Sequence, residues 1–114
     1  MINQEALYMV GRDNYEQLAN AVILKAVDDY RAAWKKIKYL PEDKRKSIYE
    51  EVMKLEEEKN SVEYRLKLKR VRRKTAQEKA VTTFYECEDF FRSRWFGVLT
   101  ALDGDKLIRM LREE

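Results

Sequence analysis

The strongest structural signal in this 114-residue chain is DNYEQLANAVILKAVDDYRAAWKKIKYLP, residues 13–41. Tyr15, Leu18, Ala19, Val22, Ile23, Ala26, Val27, Tyr30, Ala33, Trp34 and Ile37 recur at steps of three and four, the period of one helix face. Asp13 has the chemistry of an N-cap, and Glu16 three residues on completes a capping-box pattern. Lys35, Lys36 and Lys38 fall in the last turns, where cations meet the negative end of the helix dipole. Pro41 either ends this helix or opens the next. The pattern predicts one long helix packed by a single side on a core.

Toward the N-terminus, Ala6, Leu7, Tyr8, Met9 and Val10 precede Gly11, and predict a short strand or an arm lying on the helical body. Toward the C-terminus, Ile48, Val52, Leu55, Val62 and Leu66 keep a three-four rhythm, but Lys59 and Lys69 fall on the same seam. That interruption argues against a coiled coil. Residues 42–74 therefore read in two ways. They form one charged helix about 50 Å long at 1.5 Å per residue, or a helical hairpin turning at Asn60-Ser61, residues that favour helix ends.

Thr75-Ala76-Gln77-Glu78 is a second capping box, and it restarts helix. Ala80, Phe84, Cys87 and Phe91 then share one face, with Val81, Glu88 and Phe90 on neighbouring rows. Ser93 and Asp103 are two further N-caps. They open a short helix over residues 94–101 and a last one that turns Leu107, Ile108 and Leu111 inward. The expected fold is all-α: a small helical domain over residues 1–114, with its core in 13–41 and 75–114 and a charged helical extension or hairpin over 42–74. One proline and three glycines in the chain fit helix far better than a turn-rich β fold.

Composition narrows the chemistry. The hydrophobic share of 45% is that of an ordered globular chain. No apolar run approaches the roughly 20 residues of a membrane span. A single cysteine excludes an intramolecular disulfide and predicts a cytoplasmic protein. The chain has no histidine, and so lacks the commonest general base and metal ligand. Cys87, without a histidine or second cysteine, reads as a buried structural thiol, and Ser61 and Ser93 read as caps. The acidic groups Glu86, Glu88, Asp89 and Asp103, Asp105 lack calcium-loop spacing. No enzyme, cofactor, metal site or catalytic residue is expected.

The net charge of +3 hides a strong asymmetry: residues 64–79 sum to +7, and residues 42–63 to −3. The basic block is Arg65, Lys67, Lys69, Arg70, Arg72, Arg73 and Lys74. Such a block repels itself unless an anion is near. It predicts a surface for an acidic protein patch, a nucleic acid or a nucleotide. The plain alternative is a solvated segment whose charges pair with the acidic run Glu50, Glu51, Glu56, Glu57, Glu58 and Glu63. A second candidate contact is Phe90-Phe91-Arg92-Ser93-Arg94-Trp95-Phe96, with the mixture of arginine and aromatic residues found in binding hot spots. Most of its aromatics are expected to close the core, which leaves Arg92, Arg94 and Trp95 as its contact residues.

Two stretches resemble a family of short proteins of unknown function from phages and integrated elements of Gram-positive bacteria. They are Gly11-Arg12-Asp13-Asn14-Tyr15-Glu16-Gln17-Leu18-Ala19-Asn20-Ala21-Val22-Ile23 with Asp29-Tyr30-Arg31, and Glu88-Asp89-Phe90-Phe91-Arg92-Ser93-Arg94-Trp95-Phe96 with Leu102-Asp103-Gly104-Asp105-Lys106-Leu107-Ile108. The family has an acidic residue where Arg94 stands and a much shorter connection in place of residues 42–79. The resemblance implies a shared helical scaffold and an accessory, non-enzymatic protein. By analogy of class, it also implies inhibition of a host or defence protein in the manner of anti-CRISPR proteins. The expected partners are thus a host or defence protein, with a nucleic acid or a small signalling nucleotide as rivals. A homodimer through the extension is a further expectation, and no membrane is expected.

Overall fold

The computed structural model describes the backbone of residues 4–114 and the side chains of residues 14–114. Among the described residues six helices follow one another: α1 (Gln4–Ile37), α2 (Glu42–Lys59), α3 (Val62–Arg65), α4 (Ala76–Phe91), α5 (Arg94–Leu99) and α6 (Gly104–Arg112). No strand occurs among the described residues, so the fold is the expected all-α one.

The predicted start of the first helix is corrected. Residues 4–12 are helical, not a strand or a separate arm, and Asp13 lies inside α1. A capping box is a local pattern and cannot stop a preceding turn. Glu5, Ala6, Leu7 and Met9 are good helix formers, and a helix extends cheaply once nucleated. At the other end α1 stops at Ile37, and Pro41 is the N-cap of α2, ahead of Glu42 and Asp43 in its first turn.

Ile23, Val27, Tyr30, Ala33 and Ile37 of α1 pack against Ala80, Val81, Phe84, Cys87 and Phe91 of α4. Phe96 of α5 and Ile108 and Leu111 of α6 close the same core. Phe84 sits at its centre, stacked on Tyr30 at 5.0 Å and on Trp34 at 5.5 Å, with Tyr85 edge-on at 5.2 Å. Such pairs add about 0.5–1.5 kcal/mol each beyond simple burial.

The caps fall where the spacing puts them. Thr75 and Glu78 form a complete capping box on α4, Ser93 caps α5, and Asp103 accepts from the amides of Asp105 and Lys106 at the start of α6. A buried carboxylate then ties three helices together. Glu88, 2% exposed, accepts from the Tyr30 hydroxyl at 2.7 Å and from Arg112 Nη2 at 2.6 Å, with Arg92 Nη1 at 3.3 Å on its other oxygen.

The segment 42–74 is not a continuous helix, and its first part is not an extension. Val52 and Leu55 of α2 are buried, Tyr49 meets Tyr85 at 4.7 Å, and Arg45 lies over the Trp34 ring at 5.0 Å. α2 therefore belongs to the body. The chain turns at Asn60-Ser61, as the hairpin reading has it, but the returning limb is helical only over Val62–Arg65. Residues 66–74 are irregular and none is buried. Their consecutive cations disfavour a helix, in which i,i+4 like charges repel.

Candidate functional site

The arm that returns from α2 to α4 is built from its turn outward. Ser61 caps α3: its hydroxyl accepts from the Tyr64 amide at 3.3 Å and donates to the Glu58 carbonyl at 2.6 Å. The single turn closes with the Leu68 amide on the Glu63 carbonyl at 2.8 Å and the Lys67 amide on Tyr64 at 3.0 Å. That pattern is a Schellman closure, and it puts Lys67 at φ 62°, a left-handed position that usually takes glycine. A lysine there costs on the order of 1 kcal/mol.

At its far end the arm is fastened by two ion pairs. Arg72 grips Glu78 with both ends of its guanidinium, at 2.7 and 2.9 Å, while the Thr75 amide donates to the same carboxylate at 2.9 Å. Lys74 reaches Glu56 on α2 at 2.7 Å, which draws the Glu56 carboxyl below its ordinary range. Arg72 first, and then the Thr75 amide, hold the Glu78 carboxyl down from 4.5 to about 2.

A carboxyl depressed in the folded state stabilises above its unfolded pKa and loses that contribution as pH falls through its folded one. Glu78→Gln should therefore unfold at a lower urea midpoint than wild type at neutral pH. The gap should close between about pH 4.5 and pH 2 as wild-type Glu78 itself protonates. A gap of constant size across that range would mean that the Arg72 fork does not form.

The structure thus divides the predicted basic block. Arg72 and Lys74 are anchors: Lys74 pairs with Glu56 of the acidic run, as the plain alternative supposes, whereas Arg72 pairs with Glu78 outside that run. Arg65, Lys67, Lys69, Arg70 and Arg73 have no ion pair among the described residues. Arg65, Lys67, Lys69 and Arg70, with Lys59, Tyr64 and Val71, line a hollow of about 630 Å³. Lys59 and Tyr64 were not among the residues expected at this site. The hairpin turn at Asn60-Ser61, which sets the end of α2 beside the returning arm, is the signal that could have found them.

Apolar residues are interleaved with these cations and stand in water. Val62, Leu66 and Leu68 are 64%, 63% and 77% exposed, and Tyr64 is 38% exposed.

The second expected contact region lies elsewhere. Sixteen residues of α4 separate the arm from Arg92, a distance of about 24 Å at 1.5 Å per residue. Arg92 stays at the surface but is engaged, with Asp105 at 2.9 Å and Glu88 at 3.3 Å. Phe91 and Phe96 are buried, whereas Arg94 and Trp95 are exposed and Arg94 has no ion pair among the described residues. The two regions therefore lie at opposite ends of α4.

Burial pushes the Cys87 thiol up to about 11, with Asp29 and Glu86 adding to it, so the thiol stays protonated at neutral pH. Among the described residues no group of three or more Cys, Asp or Glu side chains is arranged to hold a metal ion, and no helix is long and apolar enough to cross a membrane. No family model, curated protein or solved structure matches the chain.

Proposed function

We propose that this chain is a non-enzymatic binding protein that occupies an acidic surface of another protein through the arm from Val62 to Arg73. The observation that carries this reading is the mixture on that arm. Unpaired Arg65, Lys67, Lys69 and Arg70 supply attraction and steering, while exposed Val62, Leu66 and Leu68 supply area that water disfavours. Phosphate groups have no use for the leucines, whereas a protein groove buries them at about 1.5–3 kcal/mol each. The resemblance to phage accessory proteins supports a host or defence protein as the target and the cytoplasm of the host cell as the place. Inhibition then follows from occupancy, with Cys87 protonated and Ser61 and Ser93 spent on helix capping.

A nucleic acid or a signalling nucleotide is the second reading, favoured by the five cations around Tyr64 in the arm's hollow. Capture on the tagged protein from host lysate, with and without nuclease, separates the two. A retained protein should survive nuclease, and Arg65→Glu/Lys69→Glu/Arg70→Glu should release it with the circular dichroism unchanged. Leu66→Ser/Leu68→Ser should weaken the same complex at least about tenfold. Arg72 is left intact in both variants because it fastens the arm. Loss of the bound material with nuclease, indifference to the leucines and a steep salt dependence would together replace the protein reading with the nucleic-acid one.

A further inference from the structure

We propose that the outer half of α1 is the interface of a homodimer, in which two copies pack their Tyr15, Leu18 and Val22 side chains together across a two-fold axis. These three residues belong to the stripe from which the buried face of α1 is built. Yet they are 50%, 66% and 39% exposed, and Ala19 is the first buried residue among those described. Their spacing of three and then four is that of a coiled-coil seam and places them on one side of the helix.

The surface of the molecule has room for such an interface. It exposes 9056 Å², about 2,400 Å² more than the roughly 6,600 Å² expected of a compact monomer of its mass. Its radius of gyration is 18.3 Å, against about 13 Å for a compact chain of this length. Part of that excess is the arm, but a standard interface needs only about 800 Å² from each partner.

A second copy is the occupant that the charges favour. A two-fold interface sets each residue near its own mate, so like charges there repel. In a chain with 39% charged residues, the eleven residues 14–24 contain one, Glu16, which stands about 100° round the helix from Tyr15. Asn14 flanks the stripe about 70° from its centre, and its amide both donates and accepts, so it can bond to its own counterpart. Val22 and Phe90 line one shallow hollow, which places this end of α1 at the C-terminal end of α4, near α5 with its exposed Trp95 and Val98. The basic arm enters α4 at the other end. Dimerisation here leaves both arms open, and it moves the expected self-association from residues 42–74 to α1.

Light scattering on the size-exclusion peak, repeated over a dilution series, tests this. Wild type should elute at twice its 13.8 kDa mass. Leu18→Glu/Val22→Glu should halve that mass, whereas Leu66→Glu/Leu68→Glu on the arm should leave it unchanged. Leu18→Cys should form a disulfide-linked dimer on mild oxidation, since the buried Cys87 competes poorly. A wild-type chain that is monomeric throughout would overturn the proposal. So would a dimer that survives the α1 substitutions or falls apart with the arm substitutions.

Discussion

Arg112→Ala should lower the folding free energy by about 3–5 kcal/mol, the cost of leaving a buried charge without its main partner. The carboxylate of Glu88 is the group at stake. Its Oε2 receives Arg112 through Nε at 3.0 Å and Nη2 at 2.6 Å, and the Tyr30 hydroxyl at 2.7 Å. Arg92 approaches the other oxygen only at 3.3 Å and is shared with Asp105. Burial also raises the pKa of the Tyr30 hydroxyl, so that side chain remains a donor and brings no compensating charge. Arg112 further lies 5.4 Å from the Phe84 ring, so alanine removes packing from the middle of the core as well.

For a chain of this size the loss corresponds to a fall in Tm of roughly 10–20 °C. Thermal unfolding followed by circular dichroism at neutral pH reads it directly. Arg112→Lys should fall between the two, because it keeps a charge but loses the two-pronged contact. An Arg112→Ala protein that melts with wild type would show that Arg92 alone neutralises Glu88.

Gly104→Ala should cost about 2–3 kcal/mol, the range of overpacking, although alanine is by about 1 kcal/mol the better helix former. Gly104 is the first residue of α6, and a Cβ there would stand 1.8 Å from the Phe91 carbonyl oxygen and 2.7 Å from its carbon. Both atoms are main chain at the end of α4 and cannot swing aside. α6 would have to retreat, drawing Ile108 and Leu111 out of the core and stretching the 2.9 Å contact between Arg92 and Asp105. Gly97 is the internal control. A Cβ on that residue meets nothing within 4 Å, so Gly97→Ala should be neutral or stabilising by up to about 1 kcal/mol. The urea midpoint should therefore fall for Gly104→Ala and hold or rise for Gly97→Ala. Equal midpoints would mean that α6 is not seated against Phe91.

Local chemistry made much of this fold readable. The buried half of α1, the face Ala80, Phe84, Cys87 and Phe91, and the caps at Thr75, Ser93 and Asp103 all depend on neighbours within four residues, and all stand where the spacing puts them. What periodicity could not show was which apolar residues a core would reach. Tyr15 and Leu18 fit the stripe as well as Tyr30 does, yet they stand 50% and 66% exposed. Long-range pairings were equally hidden. Glu88 and Arg112 lie 24 positions apart, and in the sequence Glu88 stands only as one of an acidic group with Glu86 and Asp89. Within the basic block, nothing local separates Arg72 from Arg70. Only the position of Glu78 at the start of α4 makes one an anchor and leaves the other free.

The place of the arm in the chain has a consequence for how such a protein changes over time. α1 and α2 precede the arm, α4 to α6 follow it, and the core takes residues from both sides while none of residues 66–74 is buried. Provided that Arg72 and Lys74 keep their acidic partners, most of the arm can be rewritten without disturbing the packing of a single core side chain. On the proposed reading of the arm as the binding surface, folding and recognition are inherited as separate traits. One helical body could then follow a changing target by altering a handful of codons in one stretch of its gene.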